Sequence, residues 1–76
     1  MGDLRIDRRQ DDEQGFHAHV TDGAGKMWEV IVGPLRGHWV GEAGSGPHEP
    51  KRFTGAGRDE VIEAALQFIR DQPPTP

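Results

Sequence analysis

Phe16-His17-Ala18-His19-Val20-Thr21-Asp22-Gly23-Ala24-Gly25-Lys26-Met27-Trp28-Glu29-Val30-Ile31-Val32 is the stretch on which the fold turns. Phe16, Ala18 and Val20 alternate with His17 and His19, and Trp28, Val30 and Val32 resume the same period of two after Lys26. Each run therefore reads as a strand with one apolar face. Asp22-Gly23-Ala24-Gly25 separates them with turn residues, which makes the pair a hairpin. The loop also sets the register. With Gly23-Ala24-Gly25 as a three-residue loop and Gly25 left-handed, Asp22 faces Lys26, and Val20, Ala18 and Phe16 fall opposite Trp28, Val30 and Val32. A loop one residue longer or shorter would scatter these side chains over both faces. The other face carries His17, His19, Met27, Glu29 and Ile31, with His19 across from Glu29.

Upstream, Leu4 and Ile6 alternate with Arg5 and Asp7 as in a short edge strand. The run Arg8-Arg9-Gln10-Asp11-Asp12-Glu13 offers nothing to bury, so residues 8–14 read as a solvated connection. Downstream, Gly33-Pro34-Leu35-Arg36-Gly37 reads as a second turn with Pro34 at its first central position, followed by a third strand from His38 to Glu42. Whether Trp39 shares the core face depends on whether that loop holds four residues or five. Residues 43–57 are rich in Gly, Pro and polar side chains, which predicts a long loop pinned by Phe53. From Arg58 to Asp71 the spacing becomes helical, with Val61, Ile62, Ala65, Leu66, Phe68 and Ile69 in a broad stripe. Asp59 and Glu60 in the first turn and Arg70 near the end complement the helix dipole.

The expected fold class is α+β: a three-stranded antiparallel meander, with a short fourth N-terminal strand as an option, covered on one face by a C-terminal helix (β-β-β-α). Residues 1–14 form a partly ordered segment with the short edge strand, residues 15–72 a single domain, and residues 73–76 a disordered Pro-rich tail.

The chain has 76 residues, of which 33% are hydrophobic, with 13 acids against 9 bases. One small, marginally stable domain is all this can build. The absence of cysteine removes disulfides, thiolate metal sites and thiol catalysis. No window supplies the ~18 apolar residues needed to cross a bilayer, and Met1-Gly2-Asp3-Leu4-Arg5 lacks the apolar core of a signal peptide. The expected setting is the cytoplasm, with no membrane partner. The middle of the chain is mildly basic and both ends acidic, which argues against tight nonspecific nucleic-acid binding.

Four groups of residues carry candidate chemistry. His17 and His19 point the same way about 6.5–7 Å apart along a strand, and Glu29 could complete a ligand set for zinc. His-x-His is unspecific, so the plainer reading is a polar sheet face with one cross-strand His–Glu pair, and no metal or other cofactor is expected. Gly55-Ala56-Gly57-Arg58, behind Lys51-Arg52, could cradle an anion, but it lacks P-loop spacing, and Asp59 and Glu60 occupy the helix start. A basic edge of Arg36, His38, Lys51, Arg52 and Arg58, with Trp39 beside it, is the candidate nucleic-acid contact. Ser45 and His48 share a flexible loop without a scaffold for catalysis, and no enzymatic activity is expected.

The sequence thus points to a small non-catalytic interaction module using its uncovered sheet face, His17, His19, Met27, Glu29, Ile31 and Trp39, for self-association or for another protein. That face is too apolar for water and too polar for a core. Weak nucleic-acid binding is the second expectation. The third is an acidic inhibitor imitating nucleic acid, which requires Asp11, Asp12, Glu13, Asp59, Glu60 and Glu63 to gather on one side.

Overall fold

In the central hairpin, Asp22 does most of the local work. Its Oδ1 accepts the backbone N–H groups of Ala24 and Lys26, both at 2.9 Å, and its Oδ2 accepts the Trp28 indole N–H at 3.0 Å. Gly25 adopts φ +84°, the left-handed conformation that the three-residue loop requires. The register follows as expected, with Val20 opposite Trp28, Ala18 opposite Val30 and Phe16 opposite Val32.

The computed structural model describes residues 4–72. Among them the chain forms β1 (Arg5–Asp12), β2 (Gly15–Thr21), β3 (Met27–Leu35), β4 (His38–Gly44), β5 (Lys51–Gly55) and α1 (Arg58–Arg70). The strands make one antiparallel sheet in the order β1-β2-β3-β4-β5, so every neighbour in sequence is a neighbour in space. This is the α+β meander with a C-terminal helix, two strands larger than its three-strand minimum. The Pro-rich tail expected at residues 73–76 lies outside the described residues.

The start of β1 is the optional edge strand expected around Leu4 and Ile6; its extension through residues 8–12, expected as a solvated connection, and all of β5 arise where burial was taken as the requirement for a strand. β1 runs through Arg8, Arg9 and Gln10 to Asp12, although all but Ile6 are exposed. An edge strand needs only one ladder of hydrogen bonds, and charge on it blocks pairing with other chains. Ion pairs Arg8–Asp11 and Arg9–Asp7 line it, and the ladder shifts register between Arg8 and Gln10, a bulge at Arg9. Asp12 closes the β1–β2 turn by accepting the N–H groups of Gln14 and Gly15. β5 likewise replaces the end of the expected loop with a short edge strand, and its Phe53 packs against Phe68 of α1 at 5.7 Å between ring centroids.

The turn after β3 is tighter than Gly33–Gly37. Only Arg36 and Gly37 lie outside the strands, both with positive φ (+50° and +87°), the two-residue type I′ pattern of hairpins. Pro34 is inside β3, paired with Trp39. This parity places Trp39 on the same face as Val32 and Val30, where it packs against the core. Its assignment to the open face is corrected accordingly.

α1 lies over β3, β4 and β5. Val61, Ala65, Leu66 and Ile69 join Phe16, Ala18, Val20, Trp28, Val30, Val32 and Ala43 in one core. Burying each large aliphatic of this group contributes about 1.5–3 kcal/mol. Gly41 sets the helix-to-sheet distance: a Cβ there would stand 2.7 Å from Val61 Cγ1 and 3.0 Å from Val32 Cγ2. The helix start has no side-chain cap at Gly57, and Glu60 instead reaches back to accept the Ala56 N–H at 3.0 Å.

Candidate functional site

With α1 on one side, the other face of the sheet is built from the alternate residues of each strand. β3 is the middle strand and runs through the centre of this face with Met27, Glu29, Ile31, Gly33 and Leu35. Met27 is 62%, Ile31 49% and Leu35 51% exposed, and these are the large hydrophobics left exposed among the described residues. All three stand on one row. The row is about 27 Å long at strand rise.

β2 adds His17 and His19 beside this row. His17 donates through Nε2 to Glu29 Oε2 at 2.9 Å, and His19 Nε2 lies 3.7 Å from the same oxygen. The two rings meet edge to face at 5.6 Å. The His17 hydrogen bond is the main reason the Glu29 carboxyl is held below its ordinary value; partial desolvation opposes it, and the nearby imidazoles add to it. On the far side, Glu42 of β4 pairs with Arg52 of β5 at 3.2 Å.

Between β3 and the β4–β5 loop lies an open depression of about 640 Å³. Met27, Ile31 and Pro50 give it apolar walls, while Glu29, Glu42 and His48 stand around it. Ser45 also lines it, is buried and donates its hydroxyl to the Met27 carbonyl at 3.0 Å.

The structure thus brings together five of the six residues expected on the interaction face: His17, His19, Met27, Glu29 and Ile31. Leu35, Glu42, Arg52 and His48 are the members that sequence reasoning missed. The signal for Leu35 and Glu42 was present in Arg36-Gly37, since a two-residue turn there fixes the parity of both flanking strands.

The basic edge does not assemble. Arg36 and His38 sit at the β3–β4 turn, whereas Lys51 pairs with Ala43 at the opposite end of β4, five residues or about 17 Å from His38. Arg52 is paired with Glu42, and Arg58 is held by Asp11 and Asp59. The acidic residues come closer to expectation. Asp11, Asp12, Glu13, Asp59 and Glu60 line a shallow depression at one end of the molecule, but Arg58 sits among them. Glu63 is not part of that lining.

No helix among the described residues is long and apolar enough to cross a membrane. No protein-family model, curated protein or solved structure matches the chain, so the functional reading is carried by its geometry.

Proposed function

We propose that the protein is a small non-catalytic interaction module, working in the cytoplasm, whose open sheet face pairs with a second copy of itself. The observation behind this reading is the row Met27, Glu29, Ile31, Gly33, Leu35 along the central strand. Apolar residues occupy its two ends and its middle. A two-fold axis midway between the stacked faces, parallel to them and perpendicular to β3 at Ile31, sets Ile31 on its own copy and Met27 near Leu35 of the other chain. The same operation sets Glu29 over Gly33, so the two carboxylates avoid each other and each finds space. A two-fold interface must be self-complementary, and this row meets that demand. Face-to-face sheets pack about 10 Å apart with strands aligned to within about 30°, a geometry the row can occupy.

Charge supports the same reading. Glu29 is engaged by His17 and Glu42 by Arg52, so stacking the faces leaves neither acid without a partner. A nucleic-acid surface draws less from the geometry, because its bases are dispersed and two of them already bind acids. The acidic-mimic reading draws on the cluster around Arg58, which that arginine and the Arg8–Asp11 pair partly neutralise.

The test is the melting temperature across a hundredfold range of protein concentration. Self-association raises it with concentration, since mass action stabilises whatever binds only the folded chain. Ile31→Lys and Leu35→Lys should each abolish the rise while leaving the dilute-limit melting temperature near that of the native chain. A melting temperature independent of concentration in the native chain contradicts the proposal.

A further inference from the structure

We infer that His17, His19 and Glu29 form a binding site for one divalent transition-metal ion of the zinc class on the open face of the β2–β3 hairpin. One ligand atom from each residue lies within 4.8 Å of the other two. Zinc bonds to imidazole nitrogen and carboxylate oxygen at about 2.0–2.2 Å, which sets ligand atoms of a tetrahedral site roughly 3.3–3.5 Å apart. The observed Nε2–Oε2 separations of 2.9 and 3.7 Å bracket that spacing. The widest separation in the set, up to 4.8 Å, has to close by up to about 1.3 Å on binding, through rotation about the side-chain bonds.

A simple cross-strand His–Glu pair accounts for only part of this arrangement. His19 is the residue directly opposite Glu29, and a pair contact there is ordinary. His17 lies opposite Ile31, yet its ring reaches diagonally to make the shorter contact with the same carboxylate oxygen. Two imidazoles thus converge on one point from two positions along β2. Their neighbours on β1 are otherwise engaged: Asp7, opposite His19, pairs with Arg9 at 3.2 Å, and Gln10, opposite His17, donates to Asp12 at 3.1 Å. The set is two imidazoles and one carboxylate, three protein ligands that leave a fourth position open in the single chain. The backbone beneath is rigid sheet, pinned at the adjacent loop by Asp22. An ion at this point ties β2 to β3 and stabilises the folded chain by RT ln(1 + L/Kd), where L is the free-ion concentration.

The experiment is a calorimetric titration of the dilute full chain with zinc, together with the visible spectrum of the cobalt(II) form. The expected result is one ion per chain, a higher melting temperature with zinc, and an intense four-coordinate cobalt spectrum. Glu29→Gln, His17→Ala and His19→Ala should each weaken binding about tenfold or more, since even outer-shell changes cost about 10–100-fold. His38→Ala and His48→Ala should leave it unchanged. Circular dichroism of each variant without metal confirms the fold, and any one of the three ligand variants that folds suffices. Leu35→Lys, which removes self-association but no ligand, should bind zinc like the native chain, so failure of pairing and failure of the metal site are read separately. No heat and no melting shift at tenfold excess zinc overturn the inference. So does binding that survives all three ligand substitutions or that disappears with His48→Ala.

Discussion

On the helix side of the sheet, Trp28, Val30 and Val32 are buried, while on the opposite side their strand neighbours Met27, Ile31 and Leu35 stand about half exposed. The two sets alternate along β3, have similar hydrophobicity and share one ladder. Only α1 distinguishes their environments. The large apolar residues of β3 alone therefore do not say which face is the core; the polar His17, His19 and Glu29 mark the other face, and what the helix leaves uncovered there becomes available for association. Substitutions that keep the ladder intact should thus divide cleanly, acting on folding from one face and on association from the other.

The largest effect is expected from Trp28→Ala. The ring packs edge to face on Phe68 at 5.8 Å and donates to Asp22, and its removal should cost about 3–5 kcal/mol in a urea titration, most of the stability of a domain this small. Gly41→Ala comes next. Its new methyl meets Val61 where the helix approaches most closely, and the overpacking should cost about 1–3 kcal/mol by the same assay. If Gly41→Ala proved neutral, the helix would not be held at that distance and the separation of the faces would be weaker than described.

Asp22→Asn should act on pH dependence as well as on stability. Desolvation alone would raise the Asp22 carboxyl; the hydrogen bonds from Trp28, Lys26 and Ala24, with the Lys26 charge, outweigh it and hold the group below the ordinary 3.8. A carboxyl whose folded value is depressed adds stability in full above its unfolded value, and loses it as pH falls through the lower folded value. Melting curves of the native chain should therefore fall below about pH 4, and those of Asp22→Asn should fall less over the same window. Ile31→Lys has the smallest expected effect on folding, within about 0.5 kcal/mol as for other exposed sites. It sharpens the comparison most, because it should remove association entirely.

The core face was legible in the sequence because turn chemistry and hydrophobic alternation agreed. Asp22, Gly25 and the period-two run on either side specify one register, and the broad stripe from Val61 to Ile69 specifies one helix face. The start of β1 was legible in the alternation of Leu4 and Ile6 with Arg5 and Asp7; its continuation was not, because Arg8 to Asp12 bury almost nothing and are held by backbone pairing to β2, which leaves no hydrophobic trace. β5 escaped for the same reason, with Phe53 its one large apolar residue. Trp39 was misplaced because Pro34 suggested the turn, whereas the left-handed pair Arg36-Gly37 makes it two residues later and shifts β4 relative to the loop expected. Of the candidate site, His17, His19, Met27, Glu29 and Ile31 followed from hairpin register alone. Leu35 and Glu42 depended on that second turn, and the convergence of both imidazoles on Glu29 depended on side-chain rotamers that no spacing rule contains.

Sedimentation equilibrium of the native chain from micromolar to millimolar concentration tests the central claim most directly. The mass should climb from the monomer value of 8.4 kDa towards twice that figure, and Ile31→Lys should stay at the monomer value throughout. A native chain that remains monomeric at millimolar concentration would contradict the claim that the uncovered face is completed by a second copy.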